Sequence, residues 1–469
     1  MNSWLAIGLV MAILGGLMLG LRVYQRRFSP HPEVVRKLLH MPMGLLTLSF
    51  PWLFTSAVPV VLLASLSVGW LVLLRLYKPL RQEFGSVLGG VSRQSLGEIY
   101  FPIAVAIVFT LSHGDPLLFG IPILILTLAD AIAAIIGIRY GQVHYSTSEG
   151  EKSAEGSLAF FMAAFFSVHI PLLLLSTTGR TETLLIALIL GLLVMLLEAI
   201  AWRGLDNLFI PLGSFVLLQS HLSMSVADLA VRLAVTIGLV LFVLCWRNRT
   251  TLNDSALLGA AFVGYLSWTL GGWRWLLPPL ILLVTYPLFV SWVDQQKMPL
   301  TPQEQKIMRW LPAPSDRSRQ WQRIHTIHSV LSVCAAGLLW LLLFVPLDRP
   351  EFFYPYTLAF AANLAIVGVA GLSPVNYWHR AHVVRVTVHV LKAWLLLFIP
   401  FLVIVGLSAS SIDAALGGLV GTGLSAIAYY ISQPYLRNRS TDRLAWACRV
   451  LYTTLASALS LIPLYGFPS

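Results

Sequence analysis

"TLLIALILGLLVMLLEAI", Thr183 to Ile200, is eighteen residues long and carries a single charge, Glu198, near its end. A run this long and apolar matches the ~18–20 residues a helix needs to cross a bilayer. Comparable runs stand elsewhere, "WLAIGLVMAILGGLMLGL" at residues 4–21 and "LAVTIGLVLFVLCW" at 233–246. The whole chain of 469 residues follows suit, 57% hydrophobic, 11% charged and with a mean hydropathy of +0.80. Soluble domains carry about a quarter charged residues, so the chain reads as an all-α polytopic integral membrane protein. No segment shows the strict alternation of a membrane β-barrel.

Apolar segments fall near 3–21, 38–56, 57–74, 98–113, 116–136, 157–176, 182–200, 207–222, 226–246, 255–271, 275–293, 325–346, 355–373, 388–408, 412–432 and 446–465. The expected bundle therefore has about 15–16 transmembrane helices, the count turning on whether 38–56 and 207–222 cross fully. The net charge of +11 is topological rather than a nucleic-acid footprint. Basic clusters at Arg22/Arg26/Arg27, Arg75/Lys78/Arg81, Arg247/Arg249, Lys297 to Arg323 and Arg437/Arg439 fall on one side if every segment crosses. The positive-inside rule makes that side cytosolic and places the N-terminus outside. The first span lacks a basic residue before it, so it reads as an anchor rather than a cleaved signal. Cys245, Cys334 and Cys448 are too scattered for a disulfide framework or a zinc pattern.

The polar residues divide the chain into two expected domains, 1–248 and 249–469. Carboxylates thin out after about residue 250, and a Pro/Gln/Arg-rich stretch at 294–324 reads as a cytosolic loop in the second half.

In the first half, five places bring charge to one inner surface. Arg36, Lys37 and His40 open the second segment, Arg36 and His40 one turn apart. Glu98 begins the fourth. Asp130 lies within the fifth, about two turns before Gly137 and followed by Gly141. The loop "GEKSAEGSLAFF" at 150–161 carries Glu151, Lys152, Ser153, Glu155, Gly156 and Ser157. Glu198 ends the seventh segment, and Asp206 and Asn207 follow.

Each has a structural reading as well. Arg36 and Lys37 satisfy the positive-inside rule, and Glu98 suits a helix N-terminus. Ser153 and Ser157 suit N-caps, and Gly137 and Gly141 suit close helix packing. Asp130 is the exception, because a carboxylate two turns inside an apolar helix needs a cation, a proton relay or a metal. Carboxylates that take Mg²⁺, cations that offset phosphate charge, and a Gly-bounded turn entering a helix describe a nucleoside-triphosphate site. The Walker and protein-kinase motifs are absent.

"RKLLH", "GEIYFPIA", "LTLADAIAAIIGIRYG", "EKSAEGSLAFF" and "EAIAWRGLDNLFIPL", in that order, resemble the membrane-embedded phytol, farnesol and dolichol kinases over roughly residues 30–220. CTP-using diacylglycerol kinases look related. The resemblance implies transfer of the γ-phosphate of a nucleotide, typically CTP, with Mg²⁺, to the hydroxyl of a long isoprenoid alcohol such as phytol, geranylgeraniol, farnesol or a polyprenol within the bilayer. It implies that Asp130 holds Mg²⁺ or orients the hydroxyl, and that Lys152 binds the β/γ-phosphates. Glu155, Glu98 and Asp206 complete metal or nucleotide contacts, the metal set being Asp130, Glu155 and Asp206. Ser153 and Ser157 donate to phosphate, while Arg36, Lys37 and His40 close over it. Gly137, Gly141, Gly156, Glu198 and Asn207 belong to the same site.

The second half is similar, faintly, to the phytyl-phosphate kinases, but "AFAANLAIVGVAGLSP" offers only Asn363 and Ser373 where that family carries acidic residues. Two other activities answer to the same residues. One is a CTP-dependent cytidylyltransferase acting on a lipid phosphate, the other an ion-coupled transporter using Asp130 and Glu198. The sequence is silent on oligomeric state.

Overall fold

The computed structural model describes residues 3–28, 32–77, 96–147, 150–247, 250, 252–289, 325–370, 380–437 and 442–461. These form seventeen α-helices and one two-stranded hairpin. Among the described residues, each of the sixteen segments expected from the sequence overlaps a helix, 38–56 being divided between two, while the ends of 275–293, 355–373 and 446–465 lie outside the described residues. Ten helices of the described residues are long and apolar enough to cross a membrane, while Leu38–Leu48, Gly97–Leu111 and Leu444–Leu459 are apolar but shorter. The chain is an all-α polytopic membrane protein. The expected loop at 294–324 lies outside the described residues, as do Ser373 and the side chains of Arg36 and Lys37.

The chain separates into two compact units, Met1–Gly238 and Leu239–Ser469. The first contains α1 (Ser3–Phe28), α2 (Pro32–Leu48), the one-turn α3 (Phe50–Leu53), α4 (Ala57–Leu76), α5 (Gly97–Leu111) and α6 (Pro116–Tyr140). The hairpin strands β1 (His144–Thr147) and β2 (Gly150–Ser153) follow, then α7 (Ala154–Leu175), α8 (Arg180–Ile200) and α9 (Asp206–Leu222). The unit boundary falls within α10 (Val226–Trp246), about a dozen residues into that helix rather than after it.

Helix α6 is the centre of this unit, packed against α2, α7 and α9. Asp115 starts it, its carboxylate accepting from the N–H groups of Leu117 and Leu118 at 2.8 and 2.9 Å. Such a cap satisfies donors that have no partner inside the helix. Helix α8 buries Ile186, Leu190, Leu193 and Leu197, a stripe at helical spacing. Lipid tails are as apolar as these side chains, so association rests on close packing rather than on escape from water. Between α6 and α7 that packing is backbone to backbone. A Cβ placed on Gly156 would lie 3.2 Å from Gly137 Cα and 3.1 Å from the Ala133 carbonyl oxygen.

The hairpin pairs antiparallel, His144 with Ser153, Tyr145 with Lys152, and Ser146 with Glu151. It is tied to α7 by the Ala154 N–H, which donates to the Val143 carbonyl oxygen at 2.8 Å.

The second unit contains α11 (Asp254–Gly271), α12 (Trp273–Thr285), α13 (Ile327–Leu347), α14 (Phe353–Ala370), α15 (Arg380–Val405), α16 (Ala409–Arg437) and α17 (Asp442–Leu459). Helix α14 is its axis, almost wholly buried and packed against α13, α15, α16 and α17. Long amphipathic side chains tie the bundle through their polar tips. Tyr356 donates to the Trp275 carbonyl oxygen at 2.7 Å, Trp340 to Ser457 Oγ at 2.9 Å, and Gln433 to the Val369 carbonyl oxygen at 2.7 Å. Asn363 is fully buried in α14 and donates to the Ala359 carbonyl oxygen within its own helix.

Candidate active site

A cavity of about 1100 Å³ lies in the first unit. Its lining is sorted by chemistry along three helices. On α2 it runs from His40 through Met43 and Leu46 to Thr47, with Phe50 of α3 just beyond. On α4 it runs from Arg75 back to Val60, and on α5 from Glu98 through Phe101 to Val105. Each stripe is charged or polar at one end and apolar at the other. The rest of the polar lining comes from Asp130 on α6, from His144, Glu151, Lys152 and Ser153 on the hairpin, and from Ser157, Glu198, Asp206 and Asn207. The apolar remainder includes one face of α1.

Lys152 organises the polar end. Its Nζ donates to Glu198 Oε1 at 2.7 Å and to the Glu198 carbonyl oxygen at 2.6 Å. Burial pulls the Lys152 pKa down, but the Glu198 carboxylate and its hydrogen bond, helped by Tyr145 and Asp206, outweigh it and leave the pKa above the usual 10.5. Lys152 is therefore a cation at any neutral pH. An ammonium has three donors, so two engaged by Glu198 leave a third on a side chain that lines the cavity.

Asp130 Oδ2 stands 3.8 Å from His40 Nε2, both side chains largely buried. His40 also approaches the Leu126 carbonyl oxygen at 3.4 Å and sets its ring edge-on to Phe101. Arg75 lies 3.9 Å from Glu98 Oε2. That pair joins the end of α4 to the start of α5, on a rim where both groups keep contact with solvent.

The loop residues divide between lining and support. Ser153 is the N-cap of α7, its Oγ accepting from the Gly156 N–H at 3.1 Å. Ser157 Oγ lies 2.7 Å from the Tyr145 hydroxyl, pinning β1 to α7. Glu155 does not line the cavity. Its carboxylate accepts from the Val143 N–H at 3.2 and 3.3 Å, facing the turn before β1. Gly137 lies inside α6 and Gly141 ends it. A Cβ on Gly141 would stand 2.7 Å from Ser153 Cβ and 2.8 Å from Ser153 Oγ. These glycines let the hairpin and α7 sit directly on α6.

Of the residues singled out in the sequence, His40, Glu98, Asp130, Gly137, Lys152, Ser153, Gly156, Ser157, Glu198, Asp206 and Asn207 line this one cavity. Glu155 and Gly141 support it from outside. Arg75 and His144 were not foreseen as lining residues. Arg75 was visible only as a positive-inside charge, and nothing near His144 in sequence marks it. The third basic group at the polar end is therefore Arg75, beside Lys152 and His40.

Among the described residues no three His, Cys, Asp or Glu side chains gather closely enough to hold a metal ion by themselves. The expected trio of Asp130, Glu155 and Asp206 is not assembled, because Glu155 faces Val143. Five carboxylates, Glu98, Asp130, Glu151, Glu198 and Asp206, still share the cavity. This donor set fits Mg²⁺, which takes one or two carboxylates and leaves its other positions to phosphate and water.

No family model and no solved structure matches the chain. Among curated proteins it is similar to the phytol kinase of Synechocystis sp., with 29% identity over 220 residues, a stretch that is 45% of this chain and 89% of that protein.

Proposed function

We propose that the chain is a lipid-alcohol kinase that transfers the γ-phosphoryl group of CTP to an isoprenoid alcohol at the cytosolic membrane face. The observation that carries the reading is the sorting of the cavity. One end offers Lys152, Arg75 and His40 beside several carboxylates, while the other is mainly apolar, its Thr47 and Ser67 hydroxyls bonded within their own helices. A nucleotide and a lipid alcohol are two substrates that need those two ends. Similarity to a phytol kinase supports the same pairing of substrates.

Phosphoryl transfer asks the protein for positioning and for charge placed against the phosphates. In this reading Lys152 holds the β- and γ-phosphate oxygens with the donor that Glu198 leaves. Arg75 adds charge at the rim, and the His40 ring and the Ser157 hydroxyl offer hydrogen bonds. Asp130, beside His40 where the α2 stripe turns polar, orients the alcohol. The alcohol oxygen bonds to the γ-phosphorus, the bond to the β–γ bridging oxygen breaks, CDP leaves, and the hydroxyl proton passes to Asp130. Asp206 and Glu98 are the carboxylates we assign to Mg²⁺, which offsets triphosphate charge when bound. Glu155 is left out of the ligand set.

The test is an assay of purified protein in detergent with Mg²⁺, γ-labelled CTP or ATP, and a panel of phytol, geranylgeraniol, farnesol, longer polyprenols and diacylglycerol. Label on one isoprenoid alcohol is the expected result. Pyrophosphate release from CTP with a lipid phosphate, and no labelled alcohol, would replace the kinase with a cytidylyltransferase. Silence with every lipid would overturn both enzymatic readings.

A further inference from the structure

The apolar end of the cavity has a measurable length. On α4 the lining stripe runs from Val60 through Leu63, Ser67 and Leu71 to Arg75, a helical face at i, i+3, i+7, i+11 and i+15. Fifteen residue steps at ~1.5 Å of rise make it about 22 Å long. Arg75 at its polar end pairs with Glu98, so the origin of the stripe is the phosphate end of the cavity. Helix α1 lines the same cavity and touches α4, and its lining residues Val10, Leu14 and Met18 recur every four positions. The one polar side chain midway along α4, Ser67, is satisfied within its own helix, donating to the Leu63 carbonyl oxygen at 2.8 Å. The stripe therefore presents no unmet hydrogen-bonding group to an apolar chain.

We infer that the lining stripes of α1 and α4 measure the acceptor: they hold the hydrocarbon chain of the alcohol and set the greatest length that fits. This rests on the kinase reading, and it commits to a chain rather than to a headgroup. One leaflet of a bilayer is ~15 Å deep, half of the ~30 Å hydrocarbon core. A groove of about 22 Å takes a chain about the length of a membrane acyl tail, the class of phytol and geranylgeraniol. A long polyprenol does not fit in it.

Gly15 is where the measure can be changed. It lines the cavity on α1, and a Cβ there meets no atom within 4 Å. Its neighbour Gly16 is equally open but is not part of the lining. The pair separates the effect of filling the groove from that of losing a glycine in α1.

The experiment compares full-length wild type with Gly15→Phe, Ser67→Phe and Gly16→Phe, using farnesol, geranylgeraniol and undecaprenol as acceptors. Wild type is expected to use the two shorter alcohols and to leave undecaprenol essentially untouched. Gly15→Phe and Ser67→Phe should lower the kcat/KM ratio of geranylgeraniol to farnesol by about tenfold or more, the scale on which a pocket discriminates by a few methylene groups. The nucleotide KM should not move, and Gly16→Phe should keep the wild-type ratio. An unchanged ratio in both lining variants overturns the inference, as does wild-type activity on undecaprenol equal to that on geranylgeraniol.

A second measurement needs no variant to fold. Geranylgeraniol bearing a diazirine at its far end is photolysed with wild-type protein, and the label is mapped by mass spectrometry. Label on α1 or α4 supports the groove, and label confined to other helices overturns it. Label on α1 or α4 without any phosphorylated product would leave the groove standing and the kinase reading refuted. Product with label elsewhere would do the reverse.

Discussion

Lys152 caps a helix it does not belong to: its Nζ donates to the Glu198 carbonyl oxygen at 2.6 Å, near the end of α8, as well as to the Glu198 carboxylate at 2.7 Å. The last four carbonyls of a helix have no partner of their own, and a cation there is favoured by the helix dipole. One ammonium thus closes α8, fixes the hairpin to it, and keeps a donor for the cavity. Position and chemistry are coupled through a single side chain.

Lys152→Ala should therefore damage both. We expect transfer to fall by more than about 10²-fold, the scale of losing one transition-state donor. The thermal midpoint should fall as well. The stability cost should stay below the ~3–5 kcal/mol of breaking a fully buried pair, because 29% of the Lys152 side chain and 15% of that of Glu198 remain exposed. Glu198→Gln keeps an acceptor in the same place, so it should retain activity within about tenfold, a loss of ~1.4 kcal/mol that stays at the low edge of the worth of one charge-assisted hydrogen bond. If Glu198→Gln is as inactive as Lys152→Ala, Glu198 acts on substrate directly rather than by positioning.

The sign of the Lys152 shift limits what pH can do. Its folded pKa lies above 10.5 because Glu198 and its neighbours outweigh burial. A group raised in this way contributes stability that is fully present below the unfolded pKa and lost only as pH rises through the folded one. The Lys152–Glu198 pair should therefore hold across the neutral and mildly alkaline range. In thermal melts, the difference in midpoint between wild type and Lys152→Ala should stay level from pH 7 to about pH 9. A difference that grows with pH within that window would place the folded ammonium's pKa below its usual value.

Asp130→Asn tests the acceptor side. The substitution preserves shape and a carbonyl oxygen but removes the charge that takes a proton or faces a metal. We expect kcat to fall by about 10²- to 10⁴-fold, the range of general acid–base catalysis, with membrane insertion and thermal midpoint close to wild type. His40→Gln should cost less, since Arg75 and Lys152 share its end of the cavity. Full activity in Asp130→Asn would remove this carboxylate from the mechanism.

The helices and the principal charged residues were legible because both leave strong local signals. Runs of apolar residues at the length of a bilayer fell on helices among the described residues, Asp130 stood out as a charge inside an apolar helix, and Lys152 stood out within a charged loop at the mouth of one. What one sequence could not show was direction. Glu155 sits three residues after Lys152, yet it turns to the Val143 N–H while Lys152 turns to Glu198, because the chain passes from strand to helix between them. Arg75 and Glu98 come together from separate helices, a pairing that spacing does not encode. The face of α1 toward α4 is hidden for another reason: the helix is apolar all round, so its composition does not say which side meets the cavity.

The glycines were open to two readings, an anion-binding turn or close packing, and the contacts around them allow a graded test. Gly141 has a φ of −64°, an ordinary value, so substitution there meets a steric limit and no backbone strain. An added Cβ would meet Ser153 Cβ at 2.7 Å and crowd the Gly137 carbonyl oxygen. At Gly156 the nearest atoms are Ser153 Oγ at 3.0 Å and the Ala133 carbonyl oxygen at 3.1 Å, and at Gly137 they are Ser153 Oγ at 3.1 Å and Gly156 Cα at 3.7 Å. Overpacking typically costs ~1–3 kcal/mol, so Gly141→Ala should destabilise most, Gly156→Ala less, and Gly137→Ala least. Alanine also favours a helix over glycine by up to ~1 kcal/mol, which should bring Gly137→Ala, inside α6, close to wild type. Thermal midpoints in one detergent would read the order. Should all three keep wild-type midpoints while the nucleotide KM rises several-fold, the backbone here would serve the phosphates after all, and the packing account would fall.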